Sequence, residues 1–166
     1  HRDYEDRGTV YWARADGSEI KAVVYPLEKP NGIGLSPDGS ILYVAETTTG
    51  RLWAYDVLGP GELASSERGA PFAIGRLVIG LPGYQFMDSL AVDARGAICV
   101  ATIPTGISVI APDGALLEQI AVPDAVPTNI CFGGPDGQTA FVTLSSTGRL
   151  LAMPWPAAGR KLAFQA

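Results

Sequence analysis

The chain has little of what most enzymes use to move protons or attack carbonyls. Its single histidine, His1, stands at the first position. Histidine acid–base catalysis, the commonest device of its kind, is therefore excluded from the body of the chain. Two cysteines are present, Cys99 and Cys131. Both occupy apolar strand positions, where free buried thiols are expected. Their spacing fits neither a metal-binding pair nor a Cys–His nucleophile. Charged residues are sparse at 17%, and the balance is acidic at −5. The twelve Lys and Arg are scattered. Nucleic acid, which calls for clustered basic residues, is not an expected partner. No apolar run approaches the roughly 18 residues of a membrane span, so no membrane partner is expected either. The expected compartment is the cytoplasm, with a secreted or periplasmic location left open. Sustained helical periodicity is also missing.

What is abundant is punctuation. Twenty Gly and thirteen Pro divide a chain that is 47% apolar, as expected for many turns and few helices. One pattern recurs three times: NGIGLSPDG at 31–39, DSLAVDARG at 88–96 and TNICFGGPDG at 128–137. Each copy is a polar residue, an alternating apolar strand and a Gly turn. A second apolar strand follows at 41–45, 97–101 and 140–143. A glycine then opens a third at 50–55, 106–110 and 148–153, with an earlier copy at 8–13. Fourth segments are expected at 20–25, 75–79, 116–122 and 161–164. The Asp-Gly pairs 16–17, 38–39, 113–114 and 136–137 suit two-residue hairpin loops.

Four short strands per repeat of roughly 40–50 residues is the pattern of a propeller blade. The expected fold class is all-β: a β-propeller of four-stranded antiparallel blades. A β-sandwich with frequent hairpins competes, but needs no repeated order of punctuation. The expected organisation is one domain over 1–166, with a half blade at 1–29 and blades at about 30–86, 87–126 and 127–166. That is about three and a half blades, the C-terminal part of a six-bladed ring. The N-terminal blades are expected from the same longer polypeptide or another chain. The irregular stretch 58–73 is expected to be a mobile surface loop.

Rotation about a propeller axis brings equivalent positions of successive blades together. Asn31 and Asp88 share one position. In the third copy turn spacing selects Asn129, but apolar phase selects Thr128, aligning Ile33, Leu90 and Ile130. Thr128 is preferred, with the additional glycine of the 133–134 pair absorbed as a bulge. Amide, carboxylate and hydroxyl oxygens around one axis suit a hard divalent cation. Asn and Asp also open strands as turn residues, and that alternative stays open. Asp38, Asp93, Asp113 and Asp136 read as turn residues. Glu46, at a strand end, is expected to face solvent.

The segments PNGIGLSPDG with LYVAE (30–39, 42–46), DSLAVDARG with ICVA (88–96, 98–101) and TNICFGG with AFVT (128–134, 140–143) are similar, in order, to the senescence-marker-protein/gluconolactonase family, which includes regucalcin. The resemblance implies a six-bladed propeller that hydrolyses lactones, commonly aldonolactones, with one divalent metal ion at the channel mouth. Ca²⁺ is the first expectation; Mg²⁺, Zn²⁺ or Mn²⁺ are alternatives. Asn31 matches the family's Asn ligand and Asp88 its Asp ligand. Asp88 is then also the catalytic general base. The family's Glu ligand belongs to a blade that precedes this chain. Ser89 stands where the family usually has Gly. Ser89 and Thr128 are the weaker, channel-lining candidates. The implied partner is a small-molecule lactone. Two other readings remain: a non-catalytic propeller binding a metabolite or protein, and a paraoxonase- or strictosidine-synthase-like enzyme.

Overall fold

The structure is a computed structural model that describes residues 7–64 and 75–163. His1 and the expected loop from residue 65 to 73 lie outside the described residues. Among the described residues every regular element is a strand, and no helix is long and apolar enough to cross a membrane.

The strands form four consecutive antiparallel sheets. The first contains β1 (Arg7–Ala13) and β2 (Ile20–Glu28). The second runs β3 (Pro30–Leu35), β4 (Ile41–Glu46) and β5 (Arg51–Gly59), with the outer edge of β5 shared by β6 (Glu62–Leu63) and β7 (Arg76–Gly80). The third runs β8 (Phe86–Val92), β9 (Ile98–Ile103), β10 (Gly106–Ile110) and β11 (Leu116–Ile120). The fourth contains β12 (Pro127–Gly133), β13 (Thr139–Leu144) and β14 (Arg149–Pro154). The leading strands β3, β8 and β12 pack side by side in that order. This is the arrangement of propeller blades around an axis. Part of the stretch expected to be irregular is ordered: Leu58 and Gly59 extend β5, and a tight turn returns the chain as β6.

Alternation along the strands explains why the sheets stack. In β4, Tyr43 and Ala45 face the third sheet, while Val44 faces the first. In β9, Ile98 and Val100 join the core shared with the second sheet; Cys99 and Ala101 join the core shared with the fourth. The inner strands are thus apolar on both faces because each sheet is covered twice. Cys99 is buried as expected, but Cys131 is exposed, and both are free.

The Asp-Gly turns are longer than two-residue loops. Gly39, Gly114 and Gly137 each donate their N–H to the carbonyl three residues back, at Ser36, Ala111 and Gly134. Each glycine is left-handed, with φ of 77°, 96° and 71°. The preceding aspartate accepts from the backbone N–H two residues on, at Ser40, Ala115 and Gln138. The carboxylate thus fixes the turn's exit, which is the role expected of Asp38, Asp113 and Asp136.

The end of the chain departs from expectation. Residues 161–163 form no strand, and residue 164 lies outside the described residues. Pro154 and Pro156 remove two N–H donors and turn the chain away from β14. Residues 155–160 instead run beneath the strand ends. Trp155 is buried and donates its N–H to Gln138. Gly159 bridges to Asp93, Ala94 donates to the Ala158 carbonyl, and Arg160 donates to the Val92 carbonyl. The Arg160 Nε reaches on to the Ser36 carbonyl at 2.8 Å. The tail therefore touches the second, third and fourth sheets at the end of the axis opposite Asn31 and Asp88, and the fourth sheet keeps three strands, not the four expected of a blade.

Candidate functional site

Each leading strand is irregular at the same place. Pairing shifts between Pro30 and Ile33, between Met87 and Leu90, and between Pro127 and Asn129. On each leading strand one additional residue is opposed to the partner strand, which is a β-bulge. Asn31, Asp88 and Thr128 all lie within these bulges. The alignment by apolar phase is correct: Ile33, Leu90 and Ile130 pair with Val44, Val100 and Val142. The bulge expected at Gly133 and Gly134 is not there. Gly133 pairs in register with Thr139, and the additional residue is taken up in the turn that follows.

A bulge frees a side chain from strict alternation and aims it along the sheet edge. Asn31 and Asp88 use this freedom to approach one another: the Asn31 amide is close enough to the Asp88 carboxylate to counter the rise in its pKa. Gly32 makes the approach possible. A Cβ placed on it would lie 2.6 Å from the Asp88 carbonyl oxygen and 2.9 Å from the Leu90 nitrogen. The two bulges are in backbone contact.

Partial burial raises the pKa of Asp88. The Asn31 amide and the backbone N–H of Ser89 oppose this shift, and the balance stays above an ordinary aspartate. Ser89 thus contributes its main chain to the pair, and its side chain is half-buried. Thr128 occupies the third bulge, but its hydroxyl is 2.9 Å from that of Thr143, across its own sheet.

The Asn31 side-chain amide carries an oxygen that can act beside the Asp88 carboxylate. The pair can then present one neutral and one anionic oxygen side by side. Those donors fit a hard cation, which prefers oxygen ligands. Among the described residues no three His, Cys, Asp or Glu side chains gather as a metal-ligand cluster.

Glu46 is not exposed, as its position at a strand end would predict. It is 3% accessible. Its Oε1 accepts the Glu28 N–H at 2.7 Å, and its Oε2 accepts the Thr49 hydroxyl at 2.7 Å. The carboxylate joins the first sheet to the second. Its partner is a main-chain N–H 18 positions earlier, which no local pattern indicates. Two further features are not evident from the repeat pattern: the tail carrying Arg160, and an exposed Tyr84 on the loop entering β8. The Gly83 turn is a signal for the second, and Pro154 and Pro156 are a signal that the chain leaves the sheet at the first.

The family model for the SMP-30/gluconolactonase/LRE-like region matches residues 1–146. A gluconolactonase of Zymomonas mobilis is 33% identical over 121 residues, covering 72% of this chain and 33% of the relative. The diisopropyl-fluorophosphatase of Loligo vulgaris is 31% identical over 166 residues, covering 95% of this chain and 49% of the relative. A solved gluconolactonase structure from Xanthomonas campestris superposes with a TM-score of 0.73 at 29% identity, over 93% of this chain and 47% of that one. The chain thus spans between a third and a half of these proteins' length.

Proposed function

This chain belongs to the SMP-30/gluconolactonase/LRE-like family, and from that premise we propose that the protein hydrolyses a sugar lactone at the mouth of its propeller channel. The observation that carries the reading is the close approach of the two bulges that hold Asn31 and Asp88 on adjacent strands. The names of the related lactonases support the substrate class. The sheets are read as successive blades of one propeller, with the remaining ligand of the centre supplied from outside the described residues.

In hydrolysis, water adds to the lactone carbonyl carbon and the ring C–O bond breaks. One proton leaves the water and one reaches the ring oxygen, giving an open hydroxy acid. Asp88 receives the water's proton. Partial burial raises the proton affinity of the carboxylate in the cation-free site; a cation on the same carboxylate would lower it and would make the attacking water more acidic, so that less basicity is required. Asn31 orients that carboxylate, and the Ser89 N–H holds it from the backbone side. A divalent cation, Ca²⁺ before Mg²⁺, Zn²⁺ or Mn²⁺, held by the oxygens of Asn31 and Asp88 would polarise the carbonyl and stabilise the charge that builds on its oxygen.

The likeness to the squid phosphatase, which runs along nearly the whole chain, favours a second reading: attack of water at a phosphorus centre by the same pair. The test uses the full-length protein. Lactone hydrolysis is followed in a pH-stat, and divalent-ion binding by isothermal titration. Asp88→Ala is expected to lower kcat by about a thousandfold or more, to abolish ion binding, and to keep the wild-type circular dichroism. Unchanged turnover in Asp88→Ala overturns the assignment. Turnover of diisopropyl fluorophosphate with no lactone hydrolysis selects the second reading.

A further inference from the structure

The loop entering β8 holds an aromatic ring in solvent at the start of the strand that carries Asp88. Residues 81–85 join β7 to the end of β8 that carries Asp88. The loop is tied at both of its ends. The buried Leu81 donates its N–H to the Gly50 carbonyl at 2.9 Å. Gln85 donates from Nε2 to the Pro82 carbonyl at 2.8 Å. Its Oε1 accepts from Thr105 at 2.6 Å and from Gln119 at 3.0 Å. Gln119 is itself fixed by the Ser108 hydroxyl. Gly83 supplies the left-handed turn at φ 73°.

The product of this network is Tyr84, which is 81% exposed. It meets Phe86 edge-to-face, with ring centroids 4.6 Å apart and planes at 75°. Phe86 lies two residues before Asp88 on the same strand. Ordering a loop around an exposed aromatic costs conformational entropy and places apolar surface in water. A rigid tyrosine is also the side chain that presents most contact area for least rotamer loss, with a polar hydroxyl at its tip.

We infer that Tyr84, backed by Phe86, is a stacking subsite that selects cyclic, hydroxyl-bearing lactones at the Asn31–Asp88 centre. The inference rests on the lactonase reading given above. A sugar lactone has an apolar face of C–H groups and a polar rim. The face lies against the Tyr84 ring, the phenol hydroxyl meets a ring hydroxyl, and the carbonyl edge is left toward Asp88. A lactone without ring hydroxyls, or an open-chain ester, gains less from the same contact.

The test compares wild type, Tyr84→Ala and Tyr84→Phe in the full-length protein, with glucono-δ-lactone and γ-butyrolactone as substrates. Because Tyr84 is exposed, Tyr84→Ala is expected to fold and to melt with the wild type. Its KM for gluconolactone is expected to rise about fivefold, the scale of one aromatic contact, while kcat stays within about twofold. Tyr84→Phe restores most of that KM, and butyrolactone kinetics change less. An unchanged gluconolactone KM in Tyr84→Ala, with the wild type active, overturns the subsite alone. A wild type that opens neither lactone overturns the lactonase reading and the subsite together.

Discussion

The amide of Asn31 and the carboxylate of Asp88 meet across the seam between the second and third sheets. They are 57 positions apart in a chain whose strand pairings, β5 with β7 excepted, join consecutive strands. Their contact depends on backbone geometry: two bulges at one level, and a glycine between them.

Gly32 is the first place to test that dependence. The atoms facing its missing Cβ belong to the β8 main chain, so no side chain can swing aside to make room. Gly32→Ala is expected to destabilise by about 1–3 kcal/mol, as overpacking does, and to weaken divalent-ion binding by parting Asn31 from Asp88. Urea unfolding and calorimetric titration measure the two effects.

Glu46 holds the first sheet to the second. Glu46→Ala leaves the Glu28 N–H without its acceptor, and a loss of about 1 kcal/mol is expected for a part-buried hydrogen bond. Glu46→Gln retains an amide oxygen for that N–H and should lose less. Denaturant midpoints at neutral pH distinguish them.

Asp38 gives the pH dependence a definite sign. The Ser36 hydroxyl, then the N–H and hydroxyl of Ser40, hold its pKa at about 2, against 3.8 for the ordinary side chain. The folded state therefore binds this proton less readily than the unfolded chain. The stabilisation is complete above about pH 4 and is lost as pH falls through about 2. Melting temperatures of wild type and Asp38→Ala are expected to differ at pH 5 and to converge toward pH 2.

Arg160 joins the tail to the second sheet. Arg160→Met removes the Nε donor, but Ser36 O still accepts from Gly39 at 2.9 Å. No carbonyl is orphaned, so a modest loss of about 1 kcal/mol is expected by urea titration. Arg160→Pro also deletes the N–H to Val92 and should cost more.

The framework was legible because propeller strands alternate with a period of two and end in marked turns. The strand over residues 106–110 and the shared position of Asn31 and Asp88 follow from that pattern alone. Family membership was legible from the ordered segments around those two residues. What escaped the sequence depends on contacts between distant segments. Glu46 is buried by a donor from the preceding sheet. Leu162, Ala163 and Phe164 suggest a strand over 161–164, yet the two prolines before it turn the chain away, and residues 161–163 form none. The doubled glycine at 133–134 suggests a bulge, but main-chain register puts it at Thr128, where no residue type marks it. The turns were read too short because Asp-Gly occupies the last two turn positions, not the central two.

At the level of the three bulges, the inward–outward rule that governs the rest of each strand is suspended. Residues 33–35, 90–92 and 130–132 must keep their pleat phase, since neighbouring sheets interlock there. Residues 31, 88 and 128 carry no such obligation. Exchanging a group at the rim therefore leaves the interlocking surfaces untouched, so the same scaffold is free to acquire new chemistry without being refitted.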